Sequence, residues 1–244
     1  MNITPDMKMA DVIHLNYTLL PVITRFNIDL GFGDKTVQEV CSACNVNLDF
    51  FIEITNSFID DDYIPKKELN SFPVNLIVQY LQKTHDYYLQ EKIPELCNLI
   101  NELSEENNSG KKNNSTTLLM DFFREYQQEL QSHIEREENK IQPYVLELEQ
   151  AFITGTADPS LVDKIRTYSI NDFAREHDNV EEKLFDLKNI IIKYLPPQKN
   201  KALCNRILME LYRLEKDLNA HAQLEDKVLI PKVARMESII LEKS

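Results

Sequence analysis

The chain has 244 residues, of which 43% are hydrophobic, four are Gly and none is Trp, and its formal net charge is -13 at pH 7. This length can bury one sizeable core and a small second domain. The scarcity of Gly argues against a turn-rich β fold or a glycine-loop nucleotide site. The negative charge argues against a nucleic-acid partner, because nucleic-acid phosphates need a basic surface.

The first residues, MNITPDMKMADVIH, lack the basic start and the long apolar run of a signal peptide. No apolar stretch approaches the ~20 residues that a membrane span needs. We therefore predict a cytoplasmic protein without a membrane partner. In that compartment its four cysteines are expected to be reduced. They are Cys41, Cys44, Cys97 and Cys204.

Residues 1–60 are predicted to form a small helical N-terminal domain. A helical pattern runs from about Met7 to Phe26, a turn containing Gly follows, and TVQEVCSACN and LDFFIEITNSFI predict two shorter helices. Residues 61–73 are polar, contain two Pro and lose helical periodicity. We interpret them as a linker.

Residues 74–244 carry four long helical patterns that are interrupted at three places. The interruptions are ENNSGKKNNS around Ser109, TGTADP around Gly155 and LPPQKN around Gln198. Helices joined by such turns pack as antiparallel neighbours. The predicted fold class is all-α, with an up-down-up-down four-helix bundle behind the small N-terminal domain.

One histidine lies near the middle of each bundle helix. Two of the four begin the same string, His-x-x-x-Glu-x-x-x-x-x-Pro, which reads HIEREENKIQP from His133 and HAQLEDKVLIP from His221. Helical residues four apart share one face, so each of these histidines projects beside a glutamate. The candidate metal ligands are His85, His133, Glu137, His177, His221 and Glu225.

The four histidines are predicted to lie at one level of the bundle. Consecutive histidines are equally far, or nearly so, from the turn that separates them. At ~1.5 Å rise per residue, their imidazoles fall within a few ångströms of one height. Each histidine also lies on the apolar stripe of its helix. The stripe around His133 contains Phe122, Tyr126, Leu130, Glu137, Ile141 and Leu148.

The two glutamates favour a metal site over a purely structural role for the histidines. A single His on an apolar helix face is more often a core residue than a ligand, and a metal-free bundle with four core histidines is the alternative. A carboxylate on an apolar seam, however, is costly to bury unless it is paired or binds a metal. Four imidazoles and two bridging carboxylates would complete the ligand set of two ions.

Ligation by imidazole and carboxylate without thiolate suits iron, manganese or zinc. Two carboxylate bridges and one oxo or hydroxo bridge would leave each metal five-coordinate, with an open position for O2, NO or peroxide. Structural zinc sites are closed. We therefore predict two iron ions per chain in preference to manganese or zinc.

Several neighbouring residues have more than one interpretation. Glu181 is a further ligand, an acceptor behind a ligand, or a solvated residue. Tyr88 and Tyr126 either donate to a bound oxygen species or only pack. The acidic cluster EREEN, residues 135–139, is predicted to be a solvated face apart from Glu137. The CxxC of Cys41 and Cys44 is predicted to be a pair of packing residues, with redox activity as the alternative.

The segments HDYYLQEKIPEL, HIEREENKIQPYV, REHDNVEEKLFDL and HAQLEDKVLIPKV resemble the four ligand-bearing segments of hemerythrin-like di-iron bundles. The resemblance is strongest to the repair-of-iron-centres proteins, which carry such a bundle behind a small helical domain, and it covers nearly the whole chain. It implies four terminal His ligands and two bridging glutamates. It also implies restoration of iron-sulfur clusters damaged by oxidative or nitrosative stress, with NO chemistry at the di-iron centre.

The segment RFNIDLGFGDKTVQEVC, residues 25–41, is similar to the N-terminal signature of that family, in which a Phe-Gly-Ile-Asp run leads into adjacent Cys-Cys and Gly-Gly pairs. Gly31 and Phe32 occupy the positions of the paired cysteines. The resemblance therefore does not extend to any function that depends on that thiol pair.

The leading functional hypothesis is a di-iron protein that repairs or protects iron-sulfur centres, by NO or peroxide reduction or by iron donation. Its partners would be NO, O2 or peroxide and damaged iron-sulfur proteins, and the chain would be a monomer or dimer. The alternative is an O2- or NO-binding or redox-sensing module without catalytic turnover, which the missing cysteine pair favours. The sequence leaves open whether the protein is an enzyme.

Overall fold

The structure is a computed structural model that describes residues 2–60, 63, 71–107, 114–175 and 180–243. In these ranges every regular element is helical, apart from one isolated bridge between Lys8 and Thr36. The predicted all-α fold class is confirmed. Most of the predicted linker lies outside the described residues.

The N-terminal unit, residues 2–60, differs from the sequence prediction at its first helix. Asn16 leaves the helical region, with φ -151° and ψ 95°, and its side chain accepts a hydrogen bond from the Thr18 N–H to begin a 3₁₀ turn. One predicted helix is therefore several short ones. The elements are α1 (Met9–Leu15), the 3₁₀ turn (Tyr17–Leu19), α2 (Leu20–Arg25), α3 (Val37–Ala43) and α4 (Leu48–Ile59).

The bundle contains four long helical stretches, named A to D. The start of A packs on the end of B, and the start of C packs on the end of D, so neighbours are antiparallel. A also lies against D, and B against C, which closes the up-down-up-down arrangement. The α-helices are α5 (Val74–Asp86) and α6 (Ile93–Asn107) in A, α7 (Asn114–Arg136) and α8 (Gln142–Thr154) in B, α10 (Ile170–Arg175) and α11 (Val180–Asn189) in C, and α12 (Lys201–Leu224) and α13 (Ile230–Glu242) in D.

Each bundle helix also contains a π-helical segment. In B and D this segment begins at the glutamate of the repeated string, and the N–H of Gln142 or Ile230 donates to the glutamate carbonyl five residues back. A proline follows directly in both strings. Proline has no N–H and its ring crowds the carbonyl four residues back, so a widened turn accommodates it without ending the helix. The segments are Tyr87–Lys92, Glu137–Ile141, Ile190–Tyr194 and Glu225–Leu229.

The connection between B and C is longer than the predicted turn at Gly155. A separate helix, α9 (Pro159–Thr167), begins where the Asp158 side chain accepts from the Ser160 N–H. Helix α10 then starts at a second cap, in which Ser169 and Asp172 exchange hydrogen bonds. Two N-caps thus divide a stretch that the sequence predicts to be continuous, and the assumption of a single turn at Gly155 is wrong.

Two hydrophobic cores lie along the bundle axis. One contains residues of the N-terminal unit together with the start of A and the ends of B and D, and the other fills the opposite half of the bundle. The N-terminal unit therefore packs on the bundle through a shared core, in which the Phe26 ring lies 5.2 Å from the Tyr80 ring. The predicted stripe around His133 is buried with one change, since Phe123 is fully buried and Phe122 is half-buried.

Glu237 joins three parts of the shared core. Its Oε1 accepts hydrogen bonds from the Tyr144 hydroxyl of B and from the Ile170 N–H at the start of α10. Burial raises the pKa of the Glu237 carboxyl, and the two hydrogen bonds lower it by less. The folded state therefore holds the Glu237 proton more tightly than the unfolded chain does.

We expect Glu237→Gln to change how stability depends on pH. The amide keeps an oxygen acceptor for both hydrogen bonds but carries no charge. Because the pKa of Glu237 is raised in the folded state, its protonation favours folding at low pH, and this contribution is lost as the pH rises through the folded pKa. The free energy of unfolding, measured in urea between pH 5 and pH 8, should increase in the variant relative to the wild type as the pH rises through the folded pKa of Glu237. A difference that stays constant across this range would contradict the prediction.

Candidate metal centre

Three bundle helices carry the candidate ligands that the structure describes. His85 is the penultimate residue of α5, His133 lies near the end of α7 with Glu137 one turn later, and His221 lies near the end of α12 with Glu225 one turn later. All five side chains are buried, with the residues between 1% and 8% exposed. They form a polar layer between the two hydrophobic cores.

His177 lies outside the described residues, and the structure does not describe the Glu181 side chain. The predicted role of His177 as a ligand therefore stays a prediction.

The Glu137 carboxylate lies among imidazoles from three helices. Its Oε2 is 3.1 Å from His85 Nε2, and its Oε1 is 2.9 Å from His133 Nε2. His221 Nε2 lies 4.0 Å from Glu137 Oε2 and 3.4 Å from His85 Nε2. The two carboxylate oxygens thus face nitrogens on two different helices, which is how a carboxylate that bridges two ions is placed.

Glu225 lies beside His221. Its Oε2 is 3.5 Å from His221 Nε2, whereas the corresponding distance from Glu137 Oε1 to His133 Nε2 is 2.9 Å. In each of the two strings the glutamate therefore lies next to the histidine of its own helix.

The donor atoms suit a divalent cation. His85, Glu137 and His221 each offer one ligand atom, and these three atoms all lie within 4.8 Å of one another. Imidazole nitrogen with carboxylate oxygen is a donor set for iron, manganese or zinc. All three residues are buried, which keeps bulk water from competing for the ion.

Carboxylates raise the pKa of His85. Burial alone would lower it, but hydrogen bonds with Glu137 and Glu138 raise it more, and the pKa reaches about 9. A cation that binds His85 Nε2 must displace a proton from that atom, because only an unprotonated nitrogen can coordinate.

Glu138 is a site residue that sequence reasoning missed. It belongs to the acidic cluster predicted to be a solvated face, yet its Oε1 lies 2.9 Å from His85 Nδ1. An ionised carboxylate can only accept a hydrogen bond, so His85 Nδ1 carries a proton and donates a hydrogen bond to Glu138. The other nitrogen, Nε2, faces Glu137 and His221 and is the one available to a cation. Glu138 is exposed as predicted, with 40% of its side chain accessible, and what the sequence did not reveal is its contact with His85 of the neighbouring helix.

The two tyrosines near the site are both buried. The Tyr88 hydroxyl donates to Asp217 Oδ1 at 2.8 Å, so this phenol already has an acceptor. Its ring packs against His221, with the ring centroids 5.9 Å apart. Tyr126 lies in the second core, two turns from His133.

The cysteines of the N-terminal unit lie apart from this centre. Cys41 is fully buried in the shared core, where burial, with a smaller effect of Cys44, raises the pKa of its thiol to about 12. Such a thiol carries almost no reactive thiolate near neutral pH. Gly31 has φ 98° and is exposed, and Phe32 packs against the shared core. The packing interpretation is supported for Cys41, but it is wrong for Cys44, which is exposed at the end of α3.

None of the helices described by the structure is both long and apolar enough to span a membrane.

Comparison with known proteins gives a family match over the bundle. The hemerythrin HHE cation binding domain matches residues 91–233, a range that includes the His133–Glu137 and His221–Glu225 pairs and begins after His85. The chain is also similar to the iron-sulfur cluster repair protein ScdA of Staphylococcus epidermidis, with 22% identity over 241 residues that cover 95% of this chain and 100% of the relative. ScdA of Staphylococcus haemolyticus is 21% identical over 236 residues, covering 94% and 99%. Because the family match spans more than half of the chain, this protein belongs to the hemerythrin HHE cation-binding family.

Proposed function

We propose that the bundle binds two iron ions through His85, His133, Glu137, His221 and Glu225, with His177 as the sixth ligand. One observation carries the proposal: the two oxygens of the buried Glu137 face Nε2 atoms on helices A and B. The repeat of the same His-Glu pair on helix D supports a second bridging carboxylate at Glu225. The family match supports cation binding in general.

In this proposal each residue has a separate task. Glu137 and Glu225 would hold the ions through carboxylate oxygens, and the histidines would hold them through imidazole nitrogens. Glu138 keeps the His85 proton on Nδ1, so that Nε2 is the coordinating atom. The two apolar cores on either side of the polar layer limit the access of water. When bound, iron would supply one-electron chemistry with NO, O2 or peroxide.

We further propose that the protein repairs or protects iron-sulfur centres under oxidative or nitrosative stress, with damaged iron-sulfur proteins as its partners. The relatives that carry the name iron-sulfur cluster repair protein align along nearly their whole length with this chain. The bundle would carry the chemistry, because Gly31 and Phe32 are not thiols and Cys41 is buried with a raised pKa.

The first test is metal content. Wild-type protein purified without oxygen from iron-replete cells should contain about two iron ions per chain. Glu225→Gln should lose most of this iron, because the amide is a weaker ligand and cannot balance the cationic charge. Asp226→Asn is the matched control, since it makes the same change at an exposed neighbour and should leave the iron content unchanged. A folded wild type without stoichiometric metal would rule out the centre.

The second test concerns Glu138. Glu138→Ala removes the acceptor of the His85 Nδ1 proton and should weaken iron affinity by about 10- to 100-fold. Glu135→Ala removes an exposed carboxylate of the same acidic cluster and should have no such effect. Competition with a colorimetric chelator measures both. Equal affinities in the two variants would show that Glu138 does not position His85.

The third test is repair itself. An aconitase-type enzyme inactivated by NO or peroxide should regain activity on incubation with the wild-type protein, and not with Glu225→Gln. If the wild type instead binds NO reversibly through repeated cycles and restores no activity, the sensing function is favoured over repair.

A further inference from the structure

A buried ion pair links the N-terminal unit to the helices that carry His85 and His221. Arg25 is the last residue of α2, and its Nη2 donates to Asp217 Oδ2 of helix D at 2.7 Å across 192 residues of sequence. The Arg25 and Asp217 side chains are only 3% and 6% exposed. Burial of two charged groups is costly because both lose their hydration. The ion pair is therefore favourable only when the guanidinium and the carboxylate are held at hydrogen-bonding distance.

The second oxygen of Asp217 continues the link to helix A. Its Oδ1 accepts the hydrogen bond of the Tyr88 hydroxyl at 2.8 Å. The Arg25 guanidinium lies over the ring of Tyr87 at 4.7 Å and near that of Tyr88 at 5.7 Å. Arg25 of the N-terminal unit therefore contacts both A and D. It lies over the Tyr87 ring of A, and it pairs with Asp217 of D, which also accepts the Tyr88 hydrogen bond.

These contacts lie one helical turn from two candidate ligands. Asp217 precedes His221 by four residues, and Tyr88 follows His85 by three. Residues at these spacings lie on one helix face, so Asp217 neighbours the His221 imidazole and Tyr88 neighbours the His85 imidazole. The Tyr88 ring also touches the His221 ring directly.

We propose that Arg25 is a positioning residue for the metal centre: from the N-terminal unit, through Asp217 and Tyr88, it fixes the relative placement of His85 and His221. The inference rests on the metal centre proposed above. It gives the N-terminal unit a role in this chain that needs no thiol, because a guanidinium holds the two ligand helices at the level of the site.

The helices offer an internal control for this role. Lys92 of A and Glu210 of D also form a buried ion pair, with both side chains 8% exposed. This pair joins the same two helices, but it lies farther from His85 and His221 along each helix and involves no residue of the N-terminal unit. Removing it tests whether any buried pair between A and D has the same effect.

The experiment compares full-length wild type with Arg25→Met, Tyr88→Phe and Lys92→Met. Each protein is loaded with Fe²⁺ without oxygen, and the rate of iron loss to excess chelator is measured, followed by the near-ultraviolet absorption spectrum after oxidation. We expect iron loss about ten times faster in Arg25→Met and a shifted spectrum, with a smaller change of the same kind in Tyr88→Phe, which removes only the hydroxyl. Lys92→Met should keep the wild-type rate and spectrum.

Three outcomes would overturn the inference while leaving the proposed metal centre in place. The first is a folded Arg25→Met with the wild-type rate and spectrum. The second is a Lys92→Met that loses iron as fast as Arg25→Met. If Arg25→Met does not fold, the test depends on Tyr88→Phe. The third outcome is then a Tyr88→Phe protein whose rate of iron loss and absorption spectrum equal those of the wild type. A wild type that retains no iron overturns the metal centre and this inference together, whereas equal retention by wild type and variants overturns the inference alone.

Discussion

Burial of negative charge between two apolar cores is the constraint on which the rest of this structure depends. Glu137 is 2% exposed and Glu225 is 5% exposed. Removing a carboxylate from water costs several kcal/mol unless close partners compensate for it. Imidazoles from A, B and D supply that compensation at Glu137, so the helices must meet in one register. A slip of one residue, ~1.5 Å along an axis, would carry the nitrogens away from the carboxylate oxygens.

The prolines of the repeated string help to set this register. Pro143 and Pro231 lie in the first turn of α8 and α13, where a missing N–H is tolerated, and each follows a π-helical segment that begins at the glutamate of the string. Each glutamate therefore lies where regular helix gives way to a wider turn, and its histidine lies in the regular turn before it. The same local physics acts on B and D, which accounts for the similar His-Glu placement on two helices.

The N-terminal unit is held to the bundle by two kinds of interaction. Apolar side chains share one core with the near end of the bundle, and this contact is tolerant of small shifts. The contact of Arg25 with Asp217 and Tyr88 is directional, because charge and hydrogen-bond geometry restrict it to one arrangement. The N-terminal unit thus meets the bundle through apolar burial and through one directional ion pair with helix D.

Much of this arrangement is contained in the sequence. The 3.6-residue periodicity and the few Gly determine an all-helical chain, and the four-residue spacing determines that each glutamate shares a face with its histidine. The similar number of residues between each histidine and the neighbouring turn also predicts that His85, His133 and His221 lie at one level of the bundle. These features are local, or depend only on counting along a helix.

Helix α9 and the break at Asn16 depend on local capping bonds between residues two apart, which an apolar pattern does not reveal. Tertiary structure decided the rest. Glu138 reaches His85 only because of the distance between A and B, and Arg25 meets Asp217 only because α2 folds onto helix D. Each of these contacts joins segments far apart in the chain, and their geometry follows from how the helices pack. No local pattern of residues specifies the geometry of these long-range contacts.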